Sequence, residues 1–527
     1  MPNRALPTHP DLDQLKRQAK ELLRAARARD PSALGRFQGL PAFARLSAAE
    51  LGARLALHDA QSVIAREHGF PSWNQLGEHI AEVTLVFDDA LREFVEAATD
   101  GRAERAGRLL KLHPRIARAS AHAALVLGDS KRAGKWLTED PSRARKPDGP
   151  RGWEPLLYVC HTSLRHDTVT NPEGLVAIAR QLLELGADPN ARFPWLHHGV
   201  RRPVLWGAVQ VTRLLPLAEL LLKSGASPND GVTLPLAVSA GDTAALDLLL
   251  SHGADPNQPW ASDGAATLYA VLQWATTATG ILWLLEHGAE PDPVFQPNGE
   301  TPLHVVARRW DVPVAEALVV RGADVNRRRA DGRSPYAIAE LNGNRAVADW
   351  LEGRGSRTEL SPVDQLVAAC GRGDRNTAEP LLAAHPGLRA EFGAEHYAVL
   401  YRAAERGDAT AIETLLACGF DPNRGDEEIG KTALHCAAMA GRLDAVRVLL
   451  AHGASPALRD REFNATPLVW AAEGARAHGV HSSDHARVGH MLLDAGSPVD
   501  WQPGEGPGDA ILEIIDEWRS TPAGKPA

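Results

Sequence analysis

The stretch HGVHSSDHARVGH crowds His478, His481, Asp484, His485 and His490 into one short insertion. Imidazoles four positions apart, as His481 and His485 are, share a face when they lie on one helix and can converge on a metal ion. This segment is therefore where the residue types point to metal binding, and through it to an enzyme or a metal-dependent switch. Its own capping chemistry argues the other way. The run Ser482-Ser483-Asp484 reads as a helix N-cap, which starts the helix near Asp484 and leaves His481 outside it. The spacing then no longer brings the two rings together, so His481 and His485 stand as metal candidates only, and no cofactor is expected.

Other chemistry-bearing residues are more scattered. His304 and His435 occupy TPLH and TALH, where a buried imidazole is expected to bond backbone groups of adjoining turns, because buried polar groups must be paired. Cys160, Cys370, Cys418 and Cys436 form no CxxC pair, which favours free buried thiols over a zinc site or a disulfide framework. No GxSxG, Walker-type GxxxxGK[ST] or strand-linked GxGxxG occurs. Carboxylates are dispersed over expected helix surfaces, as on a solvated face. A non-catalytic chain is the expectation.

The elements that position these residues follow a ruler. In TALHCAAMAGRLDAVRVLLAHGASP, from Thr432, a short helix ends at Gly441 and a second, amphipathic one ends at Gly453, twelve residues later. The same step separates Gly241 from Gly253, Gly343 from Gly355 and Gly407 from Gly419, while Trp310 replaces the first glycine of the unit ending at Gly322. Glycines 253, 288, 322 and 355 lie 35, 34 and 33 residues apart. Units ending in LHP, EDP and AHP keep the step but substitute His113, Asp140 or His385 followed by Pro, which stops a helix as glycine would. Longer insertions separate the helices of the units beginning WEPLLY and ATPLVW, and Asn171-Pro172-Glu173 closes the first of them as a cap followed by Pro at the first helical position.

A period near 33 with TPLH-like starts and GADPN-like ends resembles the ankyrin repeat. The expected fold is all-α: an ankyrin-repeat solenoid of about twelve helix pairs over residues 84–505, in one curved right-handed superhelix. A helical leader over 1–83 precedes it, a capping helix over 506–520 closes it, and a flexible tail over 521–527 follows. Degenerate units fall near 84–150 and 360–395, the latter expected to be a soft joint. DAQSVIAREHGFPSW, GPRGWEPLLY and FNATPL resemble large bacterial ankyrin-repeat-domain proteins that carry such a leader. That resemblance implies binding of another protein through a concave groove and hairpin tips, and transfers no catalytic residues.

Composition limits the partners. A net charge of −9 and a pI near 6.2 lack the cationic excess that displaces counterions from nucleic acid. The leader SVIAREHGFPSWNQL has a helix-turn-helix outline and so suggests a DNA-binding regulator as an alternative. Its eleven basic against nine acidic residues over 1–83 make a poor phosphate-binding surface, and Phe70 and Trp73 are expected to be buried. No apolar run reaches the ~18 residues of a membrane span and no signal-like apolar region opens the chain, so a cytoplasmic protein without membrane contact is expected. Of the basic residues nine are Lys and 48 Arg, a bias of GC-rich coding that points to a bacterial source.

The residues just before each first glycine are expected to face the groove. They include Trp274, Arg308, Arg309, Leu341, Asn342, Arg372, Glu405, Arg406 and Met439. Trp and Arg are enriched at binding hot spots, so the middle of this row should receive a protein or peptide segment carrying carboxylates beside an apolar anchor. Arg308 and Arg309 together are expected to be exposed, and their joint removal to spare folding.

Overall fold

The computed structural model describes residues 4–7, 10–40, 43, 51, 55–164, 170–194, 200–296, 298–477, 483–499 and 514–515. It divides into two compact units. One comprises Leu85–Tyr336 and Asp349–Arg357; the other comprises Met1–Thr84, Ala337–Ala348 and Thr358–Ala527.

The leader forms helices Leu12–Arg27, Pro31–Gln38, Leu57–Glu67 and Trp73–Val83. Asp11 accepts from the Asp13 N–H and starts the first helix, and its spacing of apolar residues puts Leu15, Ala19, Leu22 and Ala26 in the interior. They meet Phe37, Phe43, Leu51, Ile64 and Leu76, with Phe70 and Trp73 packed against this core. Three carboxylates, Asp59, Glu67 and Glu82, are drawn inside; Glu67 receives both Nε and Nη2 of Arg36, at 2.7 and 2.8 Å. That fork-to-carboxylate geometry offsets the desolvation of the charge.

Twelve helix pairs follow among the described residues. In most of them both helices run only six to ten residues, too short to persist alone in water, so burial against the neighbouring pair stabilises them. Pair Thr233–Ala240 and Thr243–Ser251 shows the plan. Gly241 takes φ 68° to end the first helix, and the Asp242 side chain accepts from the Ala245 N–H to start the second. In the unit where Trp310 replaces glycine the backbone is extended instead, and the Trp310 indole N–H donates to the Leu272 carbonyl at 2.9 Å. The His-Pro and Asp-Pro junctions open the short 3-10 helices Pro114–Arg118, Pro141–Arg145 and Pro386–Glu391.

The TPLH histidines close the first turns of their helices. His304 Nε2 donates to the Arg333 carbonyl at 3.2 Å, so Nδ1 is left to accept from the Thr301 N–H, also at 3.2 Å. His435 repeats the arrangement with Ala465 and Thr432. Burial holds His304 neutral, with its pKa pulled down to about 4.

A second polar series joins consecutive units. The Asn of four GADPN-like ends reaches forward into the next unit: Asn190, Asn229, Asn257 and Asn423 donate to the carbonyls of Gly225, Gly253, Gly288 and Gly453 at 2.9 to 3.0 Å. Their side-chain oxygens accept from the N–H groups of Ser227, Asp255, Glu290 and Ser455 at 2.6 to 2.8 Å. Asp292 holds the corresponding place in HGAEPDP. It pairs with Arg327 at 3.4 Å, but its Oδ1 is buried without a hydrogen bond.

Departures from the helical plan come after helix Pro172–Glu184, in the following tip and the first helix of the next unit. Arg192–Pro194 and Arg201–Pro203 pair as a two-stranded antiparallel ribbon. Trp153, Phe193 and Trp206 gather around His161, with ring centroids 4.2 to 5.7 Å apart. The chain makes one π-helical turn at Gly207–Val211, where a Cβ on Gly207 would lie 2.6 Å from the His161 ring. In the other unit one apolar core runs from Leu341 through Leu400 and Leu449 to Ile514 and Ile515. Those two isoleucines are the described part of the expected capping helix; the rest of 506–520, the tail 521–527, and His478 and His481 lie outside the described residues. No helix among the described residues is long and apolar enough to cross a membrane.

Candidate partner-binding face

The first helix of each pair ends in carbonyls that have no acceptor role within the helix, and in several pairs that end is exposed. In the unit Leu85–Tyr336 this row carries Trp274, which ends helix Thr267–Trp274 with 37% of its surface exposed. Its ring lies 5.2 Å from that of Trp260 on the preceding tip, at 50°. Arg309, exposed at the end of helix Pro302–Arg309, donates Nη2 to the Ala275 carbonyl at 3.2 Å. Trp274 and Arg309 thus lie on neighbouring helix ends, with the Trp260 indole beside them on a tip.

Arg308 is differently employed, which corrects the expectation of an exposed pair. It is ion-paired with Glu300, a carboxylate with only 2% exposure. Glu300 also receives the Tyr269 hydroxyl at 2.8 Å and Arg329 Nη1 at 3.2 Å. Arg329, 8% exposed, pairs in turn with Asp331 in the RRRADGRS tip. The sequence reading missed Arg329 and Glu300. The available signal was three consecutive arginines before Asp331-Gly332: a tight turn brings one of them inward, and a buried guanidinium requires an anion.

The other unit holds the remaining predicted residues. Leu341 belongs to the core at 2% exposure, and Asn342 is buried with its Nδ2 bonded to the Ile338 carbonyl at 2.6 Å. Neither offers a side chain to a partner: counting back from Gly343 located the helix end but not which way its last residues point. Arg372 is paired with Glu340. Glu405 and Arg406 are exposed by residue, with Arg406 Nη1 donating to the Asn342 carbonyl at 3.0 Å. Desolvation along that reach lowers the Arg406 pKa. Met439 is half-buried and its carbonyl accepts from His485 Nε2 at 3.1 Å.

A common use of arginine emerges. Arg309, Arg345, Arg406 and Arg442 each give one N–H to a carbonyl at a neighbouring first-helix end, those of Ala275, Arg372, Asn342 and Glu405. Cations there complement the negative end of the helix dipole. The arginine row is thus partly capping chemistry, and sequence reading could see the row but not this use.

His485 is likewise committed. It is buried and stands against Gly441, where a Cβ would meet its ring at 2.9 to 3.0 Å; Gly441 has φ 65°. Among the described residues no group of three or more His, Cys, Asp or Glu side chains could hold a metal ion.

Comparison with known proteins agrees with the geometry. Residues 366–460 and 400–482 match a family model described as ankyrin repeats (3 copies), and residues 298–330 match one for a single ankyrin repeat. The nuclear factor NF-kappa-B p105 subunit of Gallus gallus is 30% identical over 164 residues. That match covers 30% of this chain and 17% of the relative's length.

Proposed function

We propose that this ankyrin-repeat-containing chain is a non-catalytic scaffold that binds a segment of another protein on the row of first-helix ends, with the hairpin tips flanking it. Ankyrin repeats are generally protein-interaction modules, and the all-α fold built from them is present here. The observation that carries the reading is the exposed Trp274, its ring tilted against that of Trp260, with Arg309 on the next helix end. An aromatic anchor beside a cation favours a segment that offers a carboxylate next to an apolar residue. The setting proposed is the cytoplasm of a bacterium, with no cofactor, nucleic acid or membrane engaged.

A peptide array tests this: peptides pairing one aromatic or aliphatic residue with two or three carboxylates, against the same peptides with amides. The full chain should retain the acidic set, and Trp274→Ala and Arg309→Ala should each weaken retention about tenfold or more with unchanged thermal midpoints. Equal retention of acidic and amide peptides, or wild-type retention by both variants, refutes the reading.

A further inference from the structure

Helix Ala409–Ala417 packs along the second helix of the following pair, Leu443–Ala451, but not closely along the one before it, Arg375–Ala384. The cause is local. Helix Arg375–Ala384 carries Pro380 in its interior and fully buries only Ala378, and the His385-Pro386 junction then turns the chain into a 3-10 helix. The gap left between the two helices is a cavity of about 370 Å³, within the roughly 300 to 1,000 Å³ of small-molecule sites. Buried Thr414 and Cys418 line its depth, and Leu382, Pro386 and Ala417 give it apolar walls.

Three charged side chains line the same cavity, and they are unequally committed. Arg375 is engaged by Glu413 at 3.1 Å. Arg389 is fixed by its Nε, which donates to the Cys418 carbonyl at 3.0 Å and lies over Gly419, where a Cβ would come within 3.1 Å of it. Its Nη groups have no partner among the described residues, so the open end of the fork is held in place and unused. Glu379 likewise forms no hydrogen bond or ion pair with Arg389 or with any other described residue. One cation and one anion thus border an apolar cavity without closing on each other.

This charge pattern selects among ligands. A simple anion such as phosphate would face Glu379, an amine would face Arg389, and a neutral apolar molecule would leave both charges unanswered. A zwitterion with an apolar side chain answers both: its carboxylate takes the Arg389 fork in the bidentate geometry that guanidinium favours, and its ammonium pairs with Glu379. We propose that the cavity binds a free α-amino acid whose apolar side chain rests on Leu382, Pro386 and Ala417. The site is built from second helices and a 3-10 helix rather than from first-helix ends, so it is independent of the protein-binding reading. Bound there, the amino acid bridges helices Arg375–Ala384 and Ala409–Ala417 and stabilises the weaker of the two.

Isothermal titration of the unmodified full chain with L-leucine, L-methionine and L-phenylalanine tests this, alongside the N-acetyl and amide forms that each lack one charge. At least one free amino acid should bind saturably, and its two blocked forms should each bind about tenfold or more weakly, as loss of one charge-assisted contact implies. Hydrogen exchange of 375–384 should slow in the bound form while that of 443–451 stays as it was. Glu379→Gln should weaken the free amino acid but improve binding of its N-acetyl form, and Arg389→Gln should weaken it but improve binding of the amide. No saturable binding by any of the three, blocked forms that bind as well as the free amino acid, or no slowing at 375–384 overturns the proposal. Those arms use the unmodified chain and decide it even where a variant fails to fold.

Discussion

Arg308 sets its guanidinium on the buried carboxylate of Glu300, while its neighbour Arg309 points outward along the helix end and gives an N–H to the Ala275 carbonyl. Adjacent arginines thus serve stability and surface separately. Arg308→Ala should lower the thermal midpoint, costing roughly 1 to 3 kcal/mol, because Glu300 would keep only Tyr269 and Arg329 to offset its burial. Arg309→Ala should stay within about 0.5 kcal/mol. Paired thermal melts of the two single variants check the separation; equal midpoints would contradict it.

Asp292 is the weak joint of the asparagine series, and Asp292→Asn should stabilise the chain at neutral pH by about 1 kcal/mol, by putting a neutral amide donor where the buried Oδ1 now has no hydrogen bond. Burial raises the Asp292 pKa above 3.8, with Arg327 facing it favourably and Asp324 unfavourably. A raised carboxyl pKa means that protonation favours the folded state. The stabilisation linked to the proton is present below 3.8 and is lost as pH rises through the folded value. The advantage of Asn should therefore be full at pH 7 and shrink as pH falls toward the carboxylate range, read as the difference in urea midpoint between variant and parent. A pH-independent difference would rule out this origin.

His304 gives the opposite slope. Its folded pKa of about 4 lies below the ordinary 6.5, so the stability from its neutral, doubly bonded ring is full above 6.5. It is lost as pH falls to about 4, on the order of 2 kcal/mol. His304→Ala should be less stable at pH 7 and show a flatter acid limb in thermal midpoint across that window. A variant with the parent's acid limb would place the proton uptake elsewhere.

Hydrogen exchange should distinguish two helices of similar length. Helix Arg375–Ala384 contains Pro380 and fully buries only Ala378, whereas Leu443–Ala451 buries Ala445, Val446 and Leu449. Few buried contacts and a missing N–H lower local stability. Amides of 375–384 should lose protection well before those of 443–451; equal protection would show that the pairs open together.

Helix positions were readable from sequence because they depend on local chemistry: a glycine with positive φ, an Asp or Ser cap, a proline at a first turn. TPLH and TALH announced imidazoles bonded to backbone for the same reason. Networks joining residues far apart were not readable. Glu300 meets Arg308 eight positions on and Arg329 twenty-nine on, and only the folded tip makes them neighbours. Of the row of helix ends, Trp274 and Arg309 were correctly expected to be exposed. Leu341 was not, since spacing from a glycine fixes distance along the chain, whereas exposure depends on the facing unit. The crowding of histidines was visible, but not that His485 would be taken up by the Met439 carbonyl.

The asparagine series addresses main-chain atoms alone: each amide reads a glycine carbonyl and one N–H of the unit that follows. Such a junction is indifferent to the side chains of its neighbour. A genetic duplication or loss of one whole unit would rejoin Asn to Gly across the new seam, and the array could change length without reinventing its seams. Side chains between the seams are then free to diverge, as Trp310 and the long insertions have done, while Asp292 marks the seam where that interchange would be poorest.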